Sequence, residues 1–242
     1  MFSPEDASRE AQSRLQQVLH RIHSAAEAAG RDPAGVKLLA VSKVFPAEAV
    51  VRMALLGQTR FGENRVQEAV RKIPEVHSQW DGTLLEWRLI GHLQRNKAKA
   101  ALDVFTHIDS LDSVRLAEAL DAELEKRETS LPVLLQFNCS GETSKGGFEP
   151  ENWEEAAEAV ATKSSLRVTG LMTIGANTGD PEDARDAFRK LVEIQDRLQQ
   201  KWGRRLPDLS MGMSGDLEIA VEEGSTMVRV GTALFGAREK KV

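Results

Sequence analysis

The chain has 242 residues, 41% of them apolar and 29% charged, with a formal net charge of -5. That length suffices for one sizeable core or two small domains, and the acidic balance argues against a non-specific nucleic-acid binder. A single cysteine, Cys139, excludes an internal disulfide framework and suits a reducing compartment. The N-terminal stretch MFSPEDASREAQ is too polar for a signal peptide, and no apolar run approaches the roughly 18 residues that span a bilayer. These features predict a soluble, cytoplasmic protein. The sequence contains no tyrosine.

In chain order, residues 5–29 read as a helix, with Leu15, Val18, Leu19 and Ile22 on one face and Gly30 as the stop. A strand over 36–43 follows, then a helix opened by Pro46 and ended by Gly57. Residues 59–61 form a short strand, and the next helix runs to Ile73, stopped by Pro74. Residues 84–91 are a strand, 93–102 a helix and 104–110 a strand. Ser110 or Asp112 caps a helix that reaches Lys126. A strand at 132–140 leads through a Gly-rich loop to a helix near 151–162. Strand 166–175, helix 181–201, strand 206–214, helix 216–223 and strand 227–236 complete the chain.

Eight strands alternating with helices predict a parallel sheet, and eight units in this length predict an α/β fold of the (β/α)8 type. The expectation is one TIM barrel spanning 1–242 as a single domain, with an extra N-terminal helix; an open, doubly wound sheet is the alternative. Barrel sites lie at the C-terminal ends of the strands. Those ends carry Lys43, FGEN (61–64), IGH (90–92), Asp109, Asn138, Met172 with Thr173, MGMS (211–214) and RVGT (229–232).

Phosphate sites in barrels are often built from the loops after strands seven and eight, here Ser214, Gly215, Gly231 and Thr232. Glycines let backbone N–H groups approach an anion, hydroxyls add donors, and the helix opened by SGDLE favours negative charge at its start. Lys43 lies next to that site, because a barrel closes its first strand on its last. An unpaired buried ammonium is costly. On the residues alone Lys43 is a charge partner for a phosphate, a Schiff-base lysine with a depressed pKa, or a strand-end lysine reaching solvent.

The segments AVSK, FGEN-VQE, LIGHLQRNK, SKGG, GLMTIG and LSMGMSGDLE-A---GSTMVRVGTALFG, spread over residues 36–238, resemble the YggS/PROSC family of pyridoxal phosphate homeostasis proteins. The resemblance implies a barrel like that of alanine racemase without its second domain. It implies that Lys43 holds pyridoxal 5'-phosphate as an internal aldimine. Ser214, Gly231 and Thr232 match the family's phosphate contacts, Arg229 matches the arginine facing the pyridine nitrogen, and Asn64 the asparagine lying against the cofactor ring. From the residues alone Arg229 could instead pair with a carboxylate such as Glu63, and Asn64 could cap a helix.

An arginine offers only donors and stays charged, so it disfavours protonation of the pyridine nitrogen and weakens the cofactor as an electron sink. Alanine racemase works with such an arginine but takes its second base, a tyrosine, from its other domain; this chain shows neither. The expected function is therefore the holding, buffering and delivery of the cofactor to pyridoxal-phosphate-dependent apo-enzymes, without efficient catalysis. An enzyme acting on small amino acids, such as a racemase, is the alternative; a cofactor-free Schiff-base aldolase is a third, disfavoured because such barrels carry the lysine on a later strand. The missing domain removes the racemase dimer surface, which predicts a monomer.

Other residues offer less. Five histidines show no metal spacing, so His92 and His107 read as structural or solvent-facing, and Cys139 as a core or rim residue. Lys145 matches a family lysine on a loop, where cofactor transfer competes with plain exposure. The basic 93–99 stretch meets phosphate or water. Two departures stand out: Arg65 replaces a common aromatic residue, and Arg88 a usual histidine, both expected beside the site.

Overall fold

The computed structural model describes residues 4–176 and 180–236. Helix α1 (Pro4–Ala28) precedes β1 (Lys37–Val41), α2 (Ala47–Leu55), β2 (Arg60–Glu63), α3 (Val66–Gln79) and β3 (Glu86–Leu89). Then come α4 (Ala98–Leu102), β4 (His107–Leu111), α5 (Val114–Lys126), β5 (Leu131–Gln136), α6 (Trp153–Ala161) and β6 (Leu166–Met172). The chain continues through α7 (Arg185–Trp202), β7 (Asp208–Met213), α8 (Leu217–Glu222), β8 (Met227–Val230) and α9 (Thr232–Phe235). The strands form one closed parallel barrel in sequence order, sealed where Leu39 of β1 pairs with Arg229 of β8.

The alternation of strand side chains divides the interior in two. Outward residues such as Leu38, Ala40, Phe61, Trp87 and Ile108 meet the helices and form the main core. Inward residues Leu39, Val41, Ile90 and Met227 form a small separate cluster inside the barrel. Helix α1 buries Leu15, Val18, Ile22 and Ala26, spaced three or four apart, and lies against α8 and α9. Leu19, read as part of that apolar face, is 46% exposed.

Several boundaries differ from the sequence reading. Pro74 does not stop α3 but lies within it. Its ring leaves the Val70 carbonyl without an amide partner, yet both residues are exposed, so water can satisfy that oxygen. Strand β1 ends at Val41, leaving Lys43 in the following turn. The 93–102 segment is a 3-10 turn at Arg95–Lys97 followed by the short α4. The residue capping α5 is Ser113; Ser110 instead donates to the Gly91 carbonyl, and Asp112 binds His92. Strand β8, which the sequence extended to 236, stops at Val230 and gives way to α9.

The lower half of the barrel is ionic. Arg88 donates from Nη1 to both Asp109 oxygens at 3.0 and 3.1 Å, and from Nε to Glu86 at 2.7 Å. Lys37 reaches Asp208 at 3.1 Å. Arg88 therefore lies within the barrel rather than beside the strand-end site, and Arg65 stands exposed at the start of α3.

His107, at the start of β4, is pushed down to about 4, by burial first and then by Arg88 and Arg167, against Glu86 and Asp208. The unfolded chain binds more protons than the folded one between that value and the ordinary histidine value near 6.5. Lowering the pH through this window therefore removes stability. Asp109, pushed up to about 6 by burial against Arg88 and Arg229, has the opposite slope as the pH falls from 6 towards 4. Replacing His107 by glutamine should remove the first of these slopes. Unfolding midpoints at pH 7 and pH 5 test this: the variant should lose less stability on acidification than the parent, and an equal loss would contradict it.

Candidate functional site

A cavity of about 290 Å³ opens at the C-terminal mouth of the barrel. Its lining includes all six residues singled out in the sequence: Lys43, Asn64, Ser214, Arg229, Gly231 and Thr232. Lys43 follows β1, Asn64 follows β2, Ser214 follows β7, and Arg229, Gly231 and Thr232 belong to β8 and the start of α9. Gly215 joins Ser214 on the same wall.

Arg229 forms the charged floor. Nη1 donates to the Ser210 carbonyl at 2.6 Å and the Ser210 hydroxyl at 2.9 Å, while Nη2 donates to the Thr173 carbonyl at 2.8 Å. It makes no ion pair among the described residues, so the expected alternative of a carboxylate partner such as Glu63 is not the arrangement found. Burial lowers its pKa, opposed by Asp216 and Asp109. The guanidinium nonetheless keeps its charge at neutral pH. A cation held by neutral oxygens leaves its positive field available to a ligand in the cavity.

Asn64 is placed by backbone contact. A Cβ on Gly91 would lie 2.3 Å from the Asn64 carbonyl oxygen, so the glycine of the IGH segment permits the close approach of the β3 and β2 ends. Arg65, not Asn64, occupies the cap position of α3. The Asn64 Oδ1 atom is buried without a hydrogen-bond partner. A buried unsatisfied acceptor costs about 1–3 kcal/mol, and one at a cavity wall is readily satisfied by a ligand.

Part of the lining offers groups that could receive an anion. Ser214 and Thr232 bring hydroxyls, Gly215 and Gly231 present bare backbone, and α9 begins at Thr232 with its first N–H groups lacking intrahelical partners. The Ser214 loop is tied to α1, because Arg21 donates to the Ser214 carbonyl at 3.0 Å and to Glu218 at 2.6 Å. At the start of α8, Asp216 accepts the Met213 amide at 2.5 Å.

Apolar side chains close the cavity: Val41, Phe45, Ile90, Ile174 and Met213. Ile90 and Met213 fall in the strand-end segments read from the sequence, whereas Val41, Phe45 and Ile174 were not singled out as site residues. Val41 and Ile90 carried a signal, since each lies on the inward side of its strand. Phe45 carried none, because its position depends on a turn and on stacking against Phe235 at 4.9 Å.

Lys145 departs from the reading of an exposed loop lysine. Its side chain is 12% exposed and donates to Glu142 at 2.5 Å and to the Gly175 carbonyl at 2.6 Å. It thereby ties the loop after β5 to the loop after β6. His92 is exposed and lies 2.6 Å from Asp112, and Cys139 is buried with its thiol pushed up to about 11 by burial. No group of three or more potential metal ligands occurs among the described residues, and no helix there is long and apolar enough to cross a membrane.

The barrel, with a lysine after its first strand and an arginine on its last, is of the alanine racemase type: the family described as "Alanine racemase, N-terminal domain" matches residues 13–239. Among solved structures, an unknown protein from Bifidobacterium adolescentis superposes with a TM-score of 0.89 at 35% identity, covering 97% of each chain. PipY of Synechococcus elongatus PCC7942, with PLP bound, superposes at 0.79 and 35% identity, covering 93% of this chain and 100% of that one. The "Pyridoxal phosphate homeostasis protein" of Aquifex aeolicus (strain VF5) is 45% identical over 226 residues, 93% of this chain and 97% of that protein. The chain belongs to the pyridoxal phosphate homeostasis protein family.

Proposed function

We propose that the chain binds pyridoxal 5'-phosphate in the cavity at the barrel mouth, anchors it covalently through Lys43, and serves the homeostasis of that cofactor by buffering and delivering it. The observation that carries this reading is the convergence of an amine, a buried cation, an unsatisfied acceptor and two Gly/hydroxyl loops on one cavity. The relatives' name and the PLP held by PipY support it. The cavity fits the group: Ser214, Gly231 and Thr232 would receive the phosphate, with Gly215 beside them. Asn64 would lie against the ring. Arg229 would face the pyridine nitrogen.

When bound, the cofactor supplies an aldehyde, which a primary amine converts to a C=N linkage with loss of water. Lys43 is the primary amine among the described lining residues, since Arg229 remains protonated. Arg229 offers only donors and stays charged, so a pyridine nitrogen facing it would accept a hydrogen bond and stay unprotonated. Val41, Ile90, Ile174 and Met213 would give the ring apolar neighbours. No tyrosine exists in the sequence to act as a second base. We place the protein in the cytoplasm as a single-domain monomer, with pyridoxal-phosphate-dependent apo-enzymes as recipients and neither nucleic acid nor membrane as partner.

Mixing the protein with pyridoxal phosphate should produce a visible absorbance band that borohydride abolishes. Incubation with L-alanine should then leave its chirality unchanged on the timescale of enzymatic turnover. Racemisation or transamination on the order of 1 s⁻¹ or faster, within the ordinary range for enzymes, would overturn the carrier reading.

A further inference from the structure

Lys43 lies in a turn, one residue past the last backbone bond that ties β1 to β2, where the Ser42 amide donates to the Gly62 carbonyl at 3.0 Å. A buried network outside the cavity holds that turn. Lys72, on α3 and 6% exposed, donates from Nζ to the Ser42 carbonyl at 2.8 Å, Glu63 Oε1 at 2.8 Å and Glu68 Oε1 at 2.7 Å. An ammonium has three donors, and here all three are used. Glu63 Oε1 also accepts the Ser42 hydroxyl at 2.7 Å, and Glu68 Oε1 also accepts the Val44 amide at 2.5 Å. The residue before Lys43 is thus gripped by its carbonyl and hydroxyl, and the residue after it by its amide.

Val44 shows what this grip sustains. Its φ is 66°, in the left-handed region that a β-branched residue rarely occupies. Such a conformation costs about 1–3 kcal/mol and persists only where the surroundings enforce it. Val44 is 59% exposed, so its own side-chain packing is not the cause. Two bonds hold it instead: its own amide to Glu68 and the Phe45 amide to the Ser42 carbonyl at 3.1 Å.

We infer that Lys72, with Glu63 and Glu68, is the positioning device of this site: it fixes the backbone on both sides of Lys43 so that the amine is presented to the cavity. None of the three lines the cavity, so they act through Lys43 and not on the cofactor. The inference rests on the proposed role of Lys43. An amine displaced by about 1 Å from its productive geometry can lose about 100-fold in rate. The device should therefore govern the covalent step and leave non-covalent affinity largely alone.

Two ligands separate those quantities. Pyridoxal phosphate reports the covalent step through the rate at which the visible band appears. Pyridoxamine 5'-phosphate lacks the aldehyde and reports the cavity alone, by calorimetry. For Glu68→Ala the band should appear about tenfold or more slowly, with pyridoxamine phosphate affinity within about twofold of the parent. Glu68→Gln, which keeps an acceptor for the Val44 amide, should recover most of the rate. Lys72→Met should slow the step further; if the unpaired charge of buried Glu63 prevents its folding, the Glu68 pair decides alone. An unchanged rate in Glu68→Ala, or equal losses for both ligands, would overturn the positioning role. Failure of the underlying reading looks different: the parent protein itself would form no band, or Lys43→Ala would still form one.

Discussion

Replacing Lys43 by alanine is expected to abolish the borohydride-sensitive band completely. Among the described residues that line the cavity, Lys43 supplies the primary amine, and neither Arg229 nor Asn64 can take its place. The rest of the cavity is left intact by the change, so pyridoxamine phosphate should bind within a few-fold of the parent. Absorbance and calorimetry on the same preparation check both halves. A variant that kept the band would show that another amine carries the cofactor.

The second large effect concerns stability. Arg88→Met should destabilise the protein by about 3–5 kcal/mol, the range for removing one member of a buried ion pair. Asp109 is fully buried, and its carboxylate is held by both of its contacts with Arg88. Burial already pushes that carboxyl up to about 6, so loss of Arg88 leaves it to take up a proton or unfold the barrel interior. The double variant Arg88→Met/Asp109→Leu should recover most of the loss, because apolar residues of similar volume often replace a buried pair at little cost. Urea unfolding of the three proteins decides the point. A single-variant loss below about 1 kcal/mol, the value typical of an exposed pair, would mean that Arg88 is not acting as a buried partner.

The order of strands and helices was legible because each element carries its own periodicity, and barrel closure followed from the count alone. The cavity floor was legible for a similar reason: Arg229, Gly231 and Thr232 occupy one strand end, and Ser214 its neighbour. What the sequence hid was set by contacts between distant segments. Pro74 looks like a stop unless one knows that its face of α3 meets water. Lys145 looks like a loop lysine unless one knows that the Gly175 carbonyl lies 2.6 Å away. Arg88 looks like part of the site until the inward side of β3 places it below, against Asp109. The spacing of Glu68 and Lys72 signals an ordinary i,i+4 helix pair, and nothing local announces that the ammonium also reaches Ser42 and Glu63.

The central claim is that one amine, at the end of the first strand, holds the cofactor. Reduction of the loaded protein with borohydride, followed by proteolysis and mass spectrometry of the peptides, tests it most directly. The account predicts a phosphopyridoxyl adduct on the peptide carrying Lys43. An adduct confined to another lysine, such as Lys145 or Lys97, or no adduct at all, would contradict it.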